Sequence, residues 1–159
     1  MEEKSILIKY FVCCNREELS VADREVLVAA EKAILAAYSP YSHFRVGAAV
    51  RLDNGCIVQG NNQENAAYPQ GLCAERVALF YAMSQYADNQ IVTMAVCGEN
   101  SDIPVSPCGG CRQVMLEYEQ RTGNKMRIII ASKSSQILII EGVENLLPLH
   151  FCAKNLQNL

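Results

Sequence analysis

The run IVTMAVCG at residues 91–98 is apolar apart from Thr93 and ends on a glycine. A strand with one wet face would alternate polar and apolar side chains; this one does not, so both its faces are expected to be covered. MRIIIAS (126–132) and QILIIE (136–141) have the same character. Between these strands the sequence predicts a helix over Cys108–Arg121, with Gly123 as its C-cap. Upstream, residues 73–87 read as a helix with Ala, Leu, Tyr and Met on its buried side. VGAAVRL (46–52) and CIVQG (56–60) flank Asp53-Asn54-Gly55, a hairpin with an Asn-Gly turn signature. The first helix opens at Ser20-Val21-Ala22-Asp23, which resembles a capping box, and keeps helical spacing to Tyr38 before Pro40 stops it. Helices alternating with fully apolar strands predict an α/β fold, a three-layer α-β-α sandwich on a mixed sheet of about five strands. No repeat or linker divides residues 1–159, so one domain is expected, with residues 1–20 as an N-terminal extension of unassigned role.

Of the 159 residues, 50% are hydrophobic, enough for a core of its own, and the net charge of -3 gives no reason to expect nucleic-acid or membrane binding. No apolar run reaches the length of a bilayer span. The N-terminus MEEKSILIKYFVCC is acidic where a signal peptide would be basic, and reads as an ordinary first strand of a cytoplasmic protein. Eight cysteines raise the question of a disulfide framework, but a chain this long needs no staples. Cys13, Cys14, Cys56, Cys97 and Cys152 sit in apolar or strand-like settings and are expected as buried thiols. Cys73, Cys108 and Cys111 lie in different surroundings.

Cys108 and Cys111, at i and i+3, share one face of a first helical turn and can bind one ion together. Histidine is the usual companion of such a pair, yet His43 and His150 each stand alone. Cys73, in GLCAERVALF, enters a helix just after a turn-rich loop and is the stronger third ligand. A redox pair would call for a thioredoxin-like unit, and a purely structural zinc site would close with a fourth ligand. Three cysteines with one open position are the mark of a catalytic zinc. Three thiolates on Zn²⁺ leave one negative charge, and two helix N-termini of roughly half a positive charge each offset about that much. Arg76 and Arg112 follow the two cysteine groups and are expected to hydrogen-bond the sulfurs. Glu75, two residues beyond Cys73, would be turned about 200° away on a regular helix. The two can meet at one centre only if Cys73 lies at the helix entry.

Cys-Ala-Glu at 73–75 and Pro-Cys-Gly-Gly-Cys at 107–111 fit the three-cysteine pattern of nucleobase deaminases. With YSHFRVGAAV (41–50), NQENAAYPQGLCAERVAL (62–79), SPCGGCRQVMLEY (106–118) and LLPLHF (146–151), the chain resembles the small homotetrameric cytidine deaminases. The resemblance implies one Zn²⁺ per subunit on Cys73, Cys108 and Cys111, with Glu75 as proton shuttle. It implies that Phe44 packs on the pyrimidine and that Asn62 and Glu64 bond the ribose 3′-hydroxyl. The backbone at Ala66 and Ser106 would meet the base edge, and Tyr68 and Phe151 would reach a neighbouring subunit's pocket. The partners implied are a small nucleoside, water and three further copies of the chain in a homotetramer with shared sites, and neither nucleic acid nor membrane. The activity implied is hydrolysis of cytidine and 2′-deoxycytidine to the uridines and ammonia; the alternative is another aminopyrimidine nucleoside, such as a blasticidin-type antibiotic. Gly110 departs from the alanine common at its position. Taken singly, Phe44 could be core, Asn62 and Glu64 turn and surface residues, and Phe151 a packing residue.

Overall fold

The computed structural model describes residues 1–99, 101–132 and 136–156. Six strands, β1 (Phe11–Cys13), β2 (Val46–Leu52), β3 (Ile57–Asn61), β4 (Ile91–Gly98), β5 (Arg127–Ala131) and β6 (Ile137–Glu141), form one sheet in the order β1-β6-β5-β4-β2-β3. Three helices, α1 (Val21–Ala33), α2 (Ala74–Gln85) and α3 (Gly109–Thr122), cover it. Only β4 and β5 run parallel, joined through α3; the other pairs are antiparallel, so the sheet is mixed as expected.

Strand alternation sorts the core into two layers. Met94 and Val96 of β4 and Ile128 and Ile130 of β5 pack with Ala78, Leu79 and Met115 of α2 and α3. Their neighbours Ala95, Cys97, Ile129 and Ala131 meet Val26, Leu27 and Ala30 of α1 on the other face. This double burial is why the strands read as unbroken apolar runs. Of the five cysteines expected as buried thiols, Cys13 and Cys97 are buried and Cys56 and Cys152 half-buried, but Cys14 is exposed. No helix among the described residues is long and apolar enough to cross a membrane.

Two expectations are corrected in detail. The sheet has six strands rather than about five, because Phe11–Cys13 adds to the edge of β6 with Phe11 opposite Ile139. The first helix stops short of Tyr38: α1 tightens into a 3₁₀ turn at Ile34–Ala36. The Tyr38 N–H then donates to Asn62 O (3.0 Å), and its carbonyl accepts from Glu64 N (2.9 Å). The hairpin keeps the expected loop at 53–55, with a positive φ (86°) on Gly55 but not on Asn54, whose Oδ1 accepts the Cys56 N–H at 2.9 Å. At α1 the Ser20 side chain caps the Asp23 N–H at 3.1 Å, while the buried Asp23 carboxylate pairs with Arg127 Nε, also at 3.1 Å, tying α1 to β5.

Two glycines set how closely the helices sit. A Cβ on Gly47 would lie 2.0 Å from the Ala30 carbonyl oxygen in α1. One on Gly60 would lie 2.4 Å from Ala78 N and 2.7 Å from Ala74 O, so α2 rests backbone against backbone on β3. We expect Gly60→Ala to lower unfolding free energy by about 1–3 kcal/mol, as overpacking does. Chemical denaturation measures it, and a change within about 0.5 kcal/mol, the scatter of neutral surface changes, would show that α2 and β3 part freely.

Candidate active site

Val46 at the start of β2 pairs with Gly98 at the end of β4, and Gly47 with Asn61 at the end of β3. The chain leaves β4 at this edge of the sheet and re-enters as α3. Both cysteine groups stand at helix entrances. Cys73 is the N-cap of α2 (φ -70°, ψ 153°) and Cys108 the N-cap of α3 (φ -68°, ψ 165°). Their extended backbone takes them out of the helical rotation, which is the condition under which Cys73 and Glu75 can converge.

Cys73 Sγ lies 3.9 Å from Cys108 Sγ, Cys108 Sγ lies 3.5 Å from Cys111 Sγ, and all three sulfurs fall within 4.8 Å of one another. Thiolates held tetrahedrally at ~2.3 Å from zinc are ~3.8 Å apart, so the spacing suits that ion. The donor chemistry agrees. The Cys73 thiol is pulled down to about 5, chiefly by the hydrogen bond from Cys111 and then by Arg76 and Cys108. The Cys111 thiol moves up, because it is the donor to Cys73, is buried, and faces the charge of Glu75. The protein thus favours the Cys73 thiolate and disfavours that of Cys111, so ionising both together needs a cation between them. Cys111 is fully buried and Cys108 exposed, so the cluster is open on one side.

Glu75 is 4% exposed, in the first turn of α2. Burial pushes its carboxyl up, and the Cys73 charge adds to that. Arg76 Nη2 reaches Cys73 Sγ at 3.8 Å and Gly71 O at 3.3 Å. Arg112 differs from expectation: its described bonds go to oxygen, to Pro107 O (2.8 Å), Leu146 O (2.7 Å) and the Ser106 hydroxyl (2.9 Å). A planar guanidinium fits three acceptors around one loop, so Arg112 fastens the 106–107 turn to the C-terminal segment instead of touching sulfur. His43, with a left-handed φ of 55°, and His150, with Nδ1 2.9 Å from Leu147 O, both lie outside the sulfur cluster.

Phe44 and Asn62, two of the residues expected to meet a nucleoside, lie at this same end of the sheet. Phe44 is 40% exposed, with Cζ only 3.2 Å from where a Cβ on Gly98 would stand, so it covers the end of β4 rather than filling the core. Asn62 holds the 44–46 backbone, accepting from Val46 N (2.8 Å) and donating to Phe44 O (2.9 Å). Glu64 accepts from Tyr41 N (2.9 Å) and Ser42 N (3.2 Å) and is also bonded by the Ser42 hydroxyl. Those bonds, the hydroxyl first, hold its carboxyl below the ordinary range. Glu64 and Tyr68 line a cavity of about 390 Å³ with Tyr41, Ser42, Asn65 and Gly71. Ala66 is exposed in the adjoining turn. Tyr68, 74% exposed, meets Tyr41 edge-on with ring centroids 5.8 Å apart. Phe151 is 59% exposed, and its carbonyl accepts from Gln113 Nε2 at 3.0 Å. Ser42 was missed in the sequence; its signal is a serine two residues before the aromatic in YSHF, a spacing at which a hydroxyl can cap the later N–H.

Residues 20–124 match the family described as the cytidine and deoxycytidylate deaminase zinc-binding region. The chain is 47% identical over 98 residues to a cytidine deaminase of Halalkalibacterium halodurans, covering 60% of this chain and 71% of that protein. To a cytidine deaminase of Sporosarcina psychrophila it is 46% identical over 97 residues, covering 60% and 70%. The crystal structure of cytidine deaminase from Burkholderia pseudomallei superimposes with a TM-score of 0.72 at 36% identity, over 80% of this chain and 98% of that one. By these matches and the three-sulfur cluster that accompanies them, the chain belongs to the zinc-binding cytidine and deoxycytidylate deaminase family and is a cytidine deaminase-type hydrolase.

Proposed function

We propose that the chain hydrolyses cytidine and 2′-deoxycytidine to uridine and 2′-deoxyuridine with release of ammonia, a pyrimidine-salvage step in the cytoplasm. The observation that carries this is Glu75, a carboxylate 4% exposed beside three converging sulfurs. Such a group has few structural uses, since a buried carboxylate costs about 3–5 kcal/mol when its partner is lost. Cys73, Cys108 and Cys111 would hold the zinc. When bound, the ion serves as a Lewis acid that brings the pKa of a water towards neutrality. Glu75 accepts one proton from the attacking water and delivers it to N3 as the C4–O bond forms. It then carries the second proton to the exocyclic amine, and ammonia leaves as C4 regains its carbonyl. Both water protons are thereby accounted for, one on N3 and one in ammonia.

Phe44 stacks on the pyrimidine, Asn62 and Glu64 hold the 3′-hydroxyl, and the backbone at Ala66 and Ser106 meets the base edge, with the Ser106 carbonyl towards the departing amine. Tyr68 and Phe151 complete the pockets of neighbouring subunits in a homotetramer. Their exposure supports that assignment, because large aromatics left in water favour a partner surface. The net charge of -3 lends no support to a polynucleotide substrate.

Glu75→Gln is expected to keep zinc and fold while kcat falls by about 10²–10⁴-fold, measured by the absorbance change on deamination; near-normal turnover would remove the shuttle role. Free cytosine, lacking the sugar, is expected to show kcat/KM lower than cytidine by at least ~10²-fold, and equal values would discard Asn62 and Glu64 as sugar contacts. Arg76→Ala is expected to weaken zinc retention about tenfold in a chelator competition, with the unfolding transition of the metal-free protein little changed. Unaltered zinc affinity in that variant would sever Arg76 from the metal site.

A further inference from the structure

One hydroxyl joins the two groups assigned to the sugar and the base. The Ser42 side chain bonds the Glu64 carboxylate and accepts the Phe44 N–H at 3.0 Å. Glu64 takes further bonds from the backbone N–H groups of Tyr41 and Ser42. Asn62 grips the other side of the same peptide, donating to Phe44 O at 2.9 Å. Between Ser42 and Phe44, His43 takes a left-handed φ of 55°, a conformation that few non-glycine residues adopt and that persists only where its surroundings fix it. The 41–44 loop is therefore set by side-chain bonds rather than by a strand or helix, with the Ser42 hydroxyl at the junction.

We infer that Ser42 is a positioning residue for nucleoside recognition, holding the Glu64 carboxylate in the orientation that meets the sugar and, through the same oxygen, fixing the backbone that carries Phe44. The inference rests on the assignment of Glu64 to the 3′-hydroxyl made above. A carboxylate free to rotate has several rotamers, and selecting one before substrate arrives reduces what binding must order. A charge-assisted bond is the strong kind for that task. Ser42 is exposed and supports no core contact, so the fold does not depend on it. Ser42 also lines the 390 Å³ cavity together with Glu64 and Tyr68, two of the residues assigned above to nucleoside binding.

The test compares cytidine with 3′-deoxycytidine in the zinc-loaded protein, its Ser42→Ala and its Ser42→Thr variants. Ser42→Ala is expected to lower kcat/KM for cytidine about 10-fold or more, mainly through KM, as loss of a hydrogen bond to a charged group does. For 3′-deoxycytidine, which offers Glu64 no hydroxyl, the same substitution is expected to change kcat/KM less than about threefold. Ser42→Thr, which keeps the hydroxyl, is expected to restore most of the cytidine value. A loss of the same size on both substrates would assign Ser42 a structural role only and overturn the inference. So would an unchanged Ser42→Ala enzyme that still prefers cytidine to 3′-deoxycytidine. If the unsubstituted enzyme does not distinguish the two nucleosides, the assignment of Glu64 itself fails and takes this inference with it.

Discussion

The contact on which the site depends lies outside it, where α2 meets β3 with no side chain between them. Gly60 leaves the Ala74 carbonyl and the Ala78 amide against the strand, so the height of α2 on the sheet is set by backbone dimensions. Interiors at crystal-like density transmit such a fixed distance instead of absorbing it. Cys73 and Glu75 sit at the first turn of that helix, and α3, whose Leu116 and Met115 pack in the same layer, delivers Cys108 and Cys111 to the same place. The convergence of three sulfurs thus follows from how two helices seat on one sheet face. The ligands themselves could not enforce it, since their like charges would drive them apart.

Charge explains why the site stands at helix entrances. Three thiolates exceed the charge of one Zn²⁺ by one unit, and a metal-free cluster ionises only in part, with Cys73 drawn down to about 5 and Cys111 pushed up. Two N-termini contribute about one positive charge in total, and Arg76 adds a donor to Cys73. Arg112 spends its guanidinium on three oxygens and so acts on the turn that carries Cys108, not on the sulfurs. One arginine tunes charge and the other holds shape, although both follow a cysteine group at similar distances in the sequence.

That difference marks what could and could not be read from the sequence. The strand β4, the helix end at Gly123 and the cysteine spacing are local signals, and each was legible because one short segment carries its whole cause. The first strand was read only as lying somewhere in residues 1–14; β1 is confined to Phe11–Cys13 because three residues at a sheet edge owe their state to β6, with which they pair, not to their own periodicity. The end of α1 was overestimated because Tyr38 keeps helical spacing but its backbone is claimed by Asn62 and Glu64. Gly47 and Gly60 carry no mark of the close approaches they permit until the helices are in place. Asn62 and Glu64 were singled out through family resemblance alone. Their bonds to the 41–46 loop depend on a juxtaposition that spans about 20 residues, and spacing does not encode it.

The two halves of the site are therefore built on different principles. The metal half hangs on N-caps anchored to a core in which Ala74, Ala78 and Cys111 are wholly buried, so its geometry is as rigid as the fold. The half proposed to take the nucleoside is assembled from exposed loops joined by side-chain bonds, with Ser42, Asn62 and Glu64 as the fastenings. In the proposed reaction, chemistry at C4 and N3 is common to every aminopyrimidine substrate and tolerates no displacement of Glu75 from the sulfurs. Recognition of the sugar varies with the substrate and needs only that a few polar groups be oriented. A fold that places the first on packed helices and the second on clipped loops can alter its specificity by changing surface residues while leaving the reaction intact.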